Sequence, residues 1–196
     1  MTALPKHRYT IDEYIAFDRE AEGRYEYFAG EIVCMSGGSL SYNRIMSNLM
    51  AELGSQLAGS GCEVLPSEMR IKVPMALPYR YPDVVVVCGE PEIETLQGQE
   101  LLVNPVLLIE ILSPSTAVYD QGKKFEAYQS ISTFREYVLV AQARAQITHY
   151  FRPPDGQWLR NDLVGLKNQI VLSSIGCTLT FEQIYRRVRF NQIGDF

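Results

Sequence analysis

The chain is poor in the residues that build the common soft-metal and thiol sites. Its two histidines, His7 and His149, and its four cysteines, Cys34, Cys62, Cys88 and Cys177, form no C-x-x-C pair. That argues against a zinc site of the usual Cys/His kind. Long hydrophobic runs are missing as well. The longest apolar stretches, Val84–Cys88 and Val106–Leu112, fall far short of the roughly 20 residues that a membrane span needs. The opening MTALPKHRYTIDEY carries no apolar core of the kind a signal peptide has. Basic charge is not in excess: 18 lysines and arginines against 23 acids leave a net charge of −5. A protein that coats nucleic acid indiscriminately is normally basic, so any such contact here is local or helped by metal cations. Free thiols without a secretion signal set the expectation of a cytoplasmic protein with no membrane partner.

What is present is an ordinary globular composition, 46% apolar and 21% charged over 196 residues. A chain of this length forms one domain and buries about 70% of its unfolded-state surface. No internal repeat or low-complexity tract interrupts it. The expected organisation is a single domain over 1–196. Residues 1–35 form an N-terminal helix and hairpin extension, and 180–196 a C-terminal helix and tail.

Thr10-Ile11-Asp12-Glu13 has the form of a capping box, which starts a short helix. Tyr25–Phe28 and Glu31–Met35 flank Ala29-Gly30 and predict a hairpin. After the break at Ser36-Gly37-Gly38-Ser39, Ile45, Leu49, Leu53 and Leu57 recur every fourth residue and predict an amphipathic helix over about 41–58. Strands are expected from Cys62 to Val73 (broken near Pro66), from Asp83 to Cys88 and from Val106 to Leu112. The last two are apolar on both faces, as in a strand covered on both sides. Ser113-Pro114-Ser115 stops the last of these, and a second helix is expected from Asp120 to about Ile131. Further strands are read at Glu136–Val140 and Gln146–Phe151. A hairpin is read from Trp158–Leu163 and Gln169–Leu172, and a terminal helix at Phe181–Val188. The stretch Gly89–Pro105, with Glu90, Glu92, Glu94 and Glu100, is long for a connection and reads as a lid or as a concealed short helix.

The chemistry resides in charges set into apolar strands. Asp83 opens one strand and Glu110 lies near the end of the next, in Leu107-Leu108-Ile109-Glu110-Ile111-Leu112. If the two pair antiparallel, both carboxylates share one end of the sheet. Neither face of the Glu110 strand is polar, and a lone buried carboxylate costs several kcal/mol unless it is paired, protonated or metal-bound. A lysine, an arginine or a hard divalent cation must answer it. Asp120, Lys124 and Tyr128 follow at i, i+4, i+8 and share a helix face, and Lys124 stands where it can reach back over the strand end.

The run Tyr81-Pro82-Asp83, Ile109-Glu110-Ile111-Leu112-Ser113-Pro114-Ser115-Thr116, Asp120, Lys124-Phe125 and Tyr128 resembles the Uma2 family (formerly the domain of unknown function 820). That family is expanded in cyanobacteria and sits within the PD-(D/E)XK restriction-endonuclease-like superfamily. The resemblance extends through Tyr25-Glu26, Gly30-Glu31, Asn43-Arg44-Ile45 and Arg135-Glu136-Tyr137. It implies an α/β fold with a restriction-endonuclease-like mixed β-sheet flanked by helices, with additional β-hairpins. It also implies phosphodiester hydrolysis, in DNA before RNA, with Mg²⁺ or Mn²⁺. By position, Asp83 and Glu110 are the metal-holding acids. The lysine expected two residues after Glu110 is replaced by Leu112, so the resemblance moves that role to Lys124, with Lys123 ranked second. Glu26 is the candidate for an N-terminal supporting glutamate, although by composition it reads as a hairpin surface residue. Asp120 and Tyr128 would support the lysine, and Asn43 and Arg44 are candidates for nucleic-acid contact. Many family members carry histidine where this chain has Tyr42.

Two readings stay open at this level. One is a metal-dependent nuclease, possible as a homodimer whose paired sites suit cutting both strands. The other is an inert nuclease-fold module that binds nucleic acid or a protein partner. His149, alternating within a strand, reads as a surface residue, and Arg186-Arg187-Val188-Arg189 as a solvated helix face.

Overall fold

The valine run Val84–Cys88 lies in the middle of the molecule, covered on both faces, as its composition demands. The computed structural model describes residues 7–28, 30–35, 38–76, 78–113 and 117–190. The chain begins with α1 (Ile11–Glu20), closed by the Thr10–Glu13 capping box, and continues into the antiparallel hairpin β1 (Tyr25–Phe28) and β2 (Glu31–Cys34). Then come α2 (Leu40–Leu57), β3 (Cys62–Pro66), β4 (Val84–Cys88), β5 (Ile93–Leu96), β6 (Gln99–Leu102) and β7 (Pro105–Leu112). A short helical stretch follows as α3 (Ala117–Tyr119), a π-helical turn (Asp120–Lys124) and α4 (Phe125–Tyr128). The remainder is β8 (Glu136–Ala141), β9 (Gln146–Phe151), β10 (Leu159–Val164), β11 (Gln169–Leu172), β12 (Cys177–Thr180) and α5 (Phe181–Ile184).

The central sheet is mixed, with strand order β10-β9-β8-β7-β4-β3. Its β7–β8 pair is parallel, joined through the helical stretch, and the rest is antiparallel. One face packs Val84, Val86, Leu107 and Ile109 against Ile45, Leu49 and Leu53 of α2 and against α5. The other packs Val85, Leu108 and Leu139 against Tyr128, Phe134 and Tyr137. Glu110 follows Leu108 by two residues, so the pleat aims it at this second, aromatic layer. This is the expected architecture: a restriction-endonuclease-like mixed sheet, flanked by helices, with extra hairpins.

Several sequence expectations are corrected. Gly89–Pro105 holds no helix. It is the β5–β6 hairpin, turned at Gln97 and Gly98 with φ of 48° and 83°, the left-handed values a tight hairpin turn needs. Trp158–Leu163 does not pair with Gln169–Leu172. The turn ending at Gly156 folds β10 onto β9, and β11 pairs instead with β12. Beyond Pro66 the chain leaves the sheet, and only Ile71 makes isolated bridges, to Arg80 and Leu102. The terminal helix stops at Ile184, with Arg187 at a left-handed φ of 62° closing it off. The Ser113–Thr116 motif beyond Ser113, the Ala29 and Ser36-Gly37 turn positions, and the tail past 190 lie outside the described residues. Two of the four thiols are not free: Cys62 and Cys88 are direct cross-strand partners on β3 and β4 and form a disulfide. That contact depends on register, which spacing alone does not reveal, and it removes the ground for placing the chain in a reducing compartment. Among the described residues no helix is long and apolar enough to cross a membrane.

Candidate active site

At the end of the β4–β7 pair the register runs Val84 opposite Ile109, so Asp83 and Glu110 reach the same edge of the sheet. Asp83 Oδ2 accepts the backbone N–H of Ile111 at 2.6 Å, and Oδ1 accepts the hydroxyl of Tyr42 at 2.5 Å. Glu110, 4% exposed, accepts at Oε1 from the Tyr128 hydroxyl at 2.8 Å. The same oxygen lies 2.8 Å from the ammonium of Lys124.

Lys124 is 2% exposed and sits among three acids. Besides Glu110, its nitrogen is 3.6 Å from Glu26 Oε1 and 3.7 Å from Asp120 Oδ1. The strands and helices that bring these together are separate in sequence. Glu26 comes from β1, where its carboxylate also accepts the backbone N–H of Tyr81. Asp120 and Lys124 bound the π-helical turn, whose first residue is pinned by the Tyr137 hydroxyl on the Asp120 carbonyl at 3.1 Å. Such turns are rare and concentrate at functional sites. The Phe125, Tyr128, Phe134 and Tyr137 rings pack beneath as an interlocked set.

Burial dominates the electrostatics. It pushes Asp83 up from its ordinary value, against the hydrogen bonds from Tyr42 and Ile111 and the pull of Lys124. It pushes Glu110 well above the carboxylate range, opposed by Lys124 and reinforced by Asp120, Asp83 and Glu26. Burial also works against charge on Lys124, but Glu110, Glu26 and Asp120 together hold it well above an ordinary lysine. Lys124 therefore stays an ammonium, and Glu110 is drawn upward by burial and by its acidic neighbours and downward by Lys124. Tyr128 is raised by burial and by the neighbouring Glu110.

These groups line an open cleft of about 630 Å³, walled by the β1–β2 hairpin through Phe28 and Val33. A hard divalent cation is the group that the resemblance implies, and the donor set fits it. Four carboxylates, Glu26, Asp83, Glu110 and Asp120, line the cleft with Lys124, so negative charge is in surplus. Among the described residues no three His, Cys, Asp or Glu side chains gather into a ready-made cage. Mg²⁺ keeps several waters and takes one or two carboxylates plus phosphate oxygens. Asp83 and Glu110 are the pair that would hold it.

Of the expected residues, Asp83, Glu110, Lys124, Asp120, Tyr128 and Glu26 converge. Glu26 is buried and salt-bridged, not a hairpin surface residue. Lys123 does not line this cleft but a second cavity. Asn43 donates to the Gly38 and Ser39 carbonyls at the start of α2, and neither it nor Arg44 lines the cleft. Tyr42 was legible only as a departure from the family pattern. Its bond to Asp83 spans 41 positions, and no local signal announces it. His149 is not a free surface side chain either: its Nε2 lies 3.0 Å from the buried Glu136.

The sequence profile of the Uma2 family, described as "Putative restriction endonuclease", matches residues 11–182. Two proteins of the cyanobacterium Synechocystis, each described as uncharacterized, are similar over most of the chain. The protein slr1290 is 31% identical over 188 residues, covering 96% of this chain and 97% of its own. The protein sll1609 is 34% identical over 164 residues, covering 84% and 92%. Among solved structures, one described as a putative nuclease belonging to DUF820, from Anabaena variabilis, superimposes with a TM-score of 0.72. It is 17% identical and covers 90% of this chain and 97% of its own. At that identity the likeness shows the fold, and the profile and the two relatives show the lineage: this chain belongs to the Uma2 family of restriction-endonuclease-like proteins.

Proposed function

We propose that the protein is a metal-dependent endonuclease that hydrolyses phosphodiester bonds in DNA. One observation carries this reading. Four carboxylates line an open cleft, three of them around one buried lysine, an arrangement that wastes folding free energy unless a cation and an anionic substrate complete it. Asp83 and Glu110 are assigned to Mg²⁺ or Mn²⁺. A bound cation supplies an activated water and a counter-charge for the scissile phosphate. Tyr42 and the Ile111 N–H fix Asp83, and Tyr128 fixes Glu110. Lys124 orients the attacking water or donates to charge developing on the phosphate.

The test is cleavage of plasmid and of single-stranded DNA by purified protein with Mg²⁺ or Mn²⁺, alongside Glu110→Ala and Lys124→Ala. The expected result is metal-dependent cutting that Glu110→Ala abolishes and Lys124→Ala lowers by about 10²–10³-fold. Cutting that survives Glu110→Ala belongs to a contaminant and sinks the reading.

A second reading, an inert module that binds nucleic acid, is favoured by one feature. Both oxygens of Asp83 already accept hydrogen bonds, one of them from Tyr42. Absence of cutting together with absence of Mn²⁺ binding by calorimetry would establish it over the first.

A further inference from the structure

The rings of Phe28 and Tyr119 meet edge to face, 4.7 Å between centroids, and both line two cavities at once. On one side is the acidic cleft. On the other is a smaller, more open cavity of about 280 Å³, lined by Tyr27, Met75, Arg80 and Lys123 and by no carboxylate. The polarity reverses across a partition one ring thick. The Tyr119 phenol itself feels Arg80, Glu26 and Lys124.

The second cavity has the features of a binding surface. Arg80 is 5% exposed and held by a hydrogen bond from its guanidinium to the Tyr79 carbonyl at 2.9 Å, so its charge is fixed in place. Lys123 is exposed. Consecutive residues on a helix point in different directions, which is why Lys124 enters the acidic cleft and Lys123 its neighbour. Met75 is 69% exposed, a soft apolar contact beside the rings.

We infer that this cavity takes the nucleotide adjacent to the scissile phosphate in a single, unpaired DNA strand. Arg80 and Lys123 receive its phosphate, and Met75 and the ring edges pack on its base. The strand crosses the Phe28–Tyr119 ridge from one cavity to the other. The inference rests on the nuclease reading only for what occupies the first cavity.

Two observations favour an unpaired strand over a duplex. Bases pack on aromatic and apolar side chains only when they are unstacked from their neighbours, and a ridge between adjoining cavities separates consecutive bases. A duplex binder also neutralises many phosphates with a broad basic face, whereas these two cavities offer Arg24, Arg80, Lys123 and the internally paired Lys124, on a chain of net charge −5.

The test measures binding without cutting. Fluorescence anisotropy with EDTA present compares a short labelled single-stranded DNA with a blunt duplex of the same sequence, for wild type, Lys123→Ala and Lys123→Glu. The expected results are at least tenfold tighter binding of the single strand, roughly tenfold weakening by Lys123→Glu, and a salt slope about 0.7 shallower in Lys123→Ala, the loss of one single-strand phosphate contact. Equal affinity for duplex and single strand, or unchanged affinity and slope in both variants, overturns the proposal. The two readings fail separately. Metal-dependent cutting with no Lys123 effect removes the subsite and keeps the nuclease. Lys123-dependent strand binding without cutting in any metal keeps the subsite and removes the nuclease.

Discussion

Glu110 and Glu136 stand on the neighbouring parallel strands β7 and β8, at 4% and 0% exposure, and they are answered in opposite ways. Both oxygens of Glu136 are filled by donors. One accepts the Ser173 N–H at 3.0 Å and meets His149 Nε2 at 3.0 Å; the other accepts the N–H and the hydroxyl of Ser174. The result is a closed polar knot that ties the β11–β12 connection to the sheet. Glu110 accepts from Tyr128 and Lys124 at one oxygen, shares that lysine with Glu26 and Asp120, and lies on an open cleft. A buried carboxylate therefore marks nothing by itself. Surplus like charge around one cation, at the floor of a cleft, is what separates a site from a staple.

The contrast breaks most sharply at Lys124. Lys124→Ala leaves buried carboxylates without their shared cation, and loss of one partner from a buried ion pair costs about 3–5 kcal/mol. Urea unfolding of the metal-free protein should show that loss, and millimolar Mg²⁺ or Mn²⁺ should return part of it by binding the folded state. A loss below about 1 kcal/mol would mean that the surrounding acids do not depend on the charge of Lys124.

Glu136→Ala tests the other pole. It strands the Ser173 and Ser174 N–H groups and His149, and a buried donor left unsatisfied costs about 1–3 kcal/mol. The expected outcome is a lower melting temperature with metal dependence and cutting per folded molecule unchanged. If Glu136→Ala removes cutting while the fold survives, the distinction between staple and site collapses.

Much of the fold and part of the site are legible in the sequence. Val84–Cys88 and Val106–Leu112 announce themselves as doubly covered strands, because a half-exposed strand alternates and these do not. The Thr10–Glu13 box and the four-residue leucine spacing of α2 are local signals, and local structure follows them. Asp120, Lys124 and Tyr128 were readable as one face because their spacing survives the π-helical turn, although nothing in Asp-Gln-Gly-Lys-Lys distinguishes that turn from an α-helical one. What could not be read were contacts between residues far apart in the chain. Tyr42 on Asp83, Cys62 with Cys88, and Ser174 with Glu136 depend on register and on how elements dock. Glu26 belongs with them: a four-residue strand looks half-exposed until its neighbours are in place. The partner of β10 is equally illegible, because turns on both sides of it, at Pro153–Gly156 and Gly165–Asn168, let the sequence pair it with either neighbour.

The smallest effect is a slope. Burial holds the Glu110 carboxyl well above its ordinary value and Asp83 above its own, both against the pull of Lys124. In the window that begins near the unfolded-state values, the folded chain binds more protons than the unfolded chain, so these groups lose stability as pH rises through it. Lys124 is held charged and adds no slope there, since its own contribution vanishes only in alkali, above its raised value. Exposed acids with lowered values, such as Asp162 beside Arg160, tilt the other way, so the total slope is not diagnostic. The difference between two proteins is. Melting of metal-free wild type and Glu110→Gln from about pH 5 to about pH 8 should show wild type losing more stability toward the alkaline end, and saturating Mg²⁺ should erase the difference by favouring the ionised carboxylate in wild type. Parallel curves would mean that Lys124 already holds Glu110 ionised in the folded protein across that range, the ion pair outweighing burial.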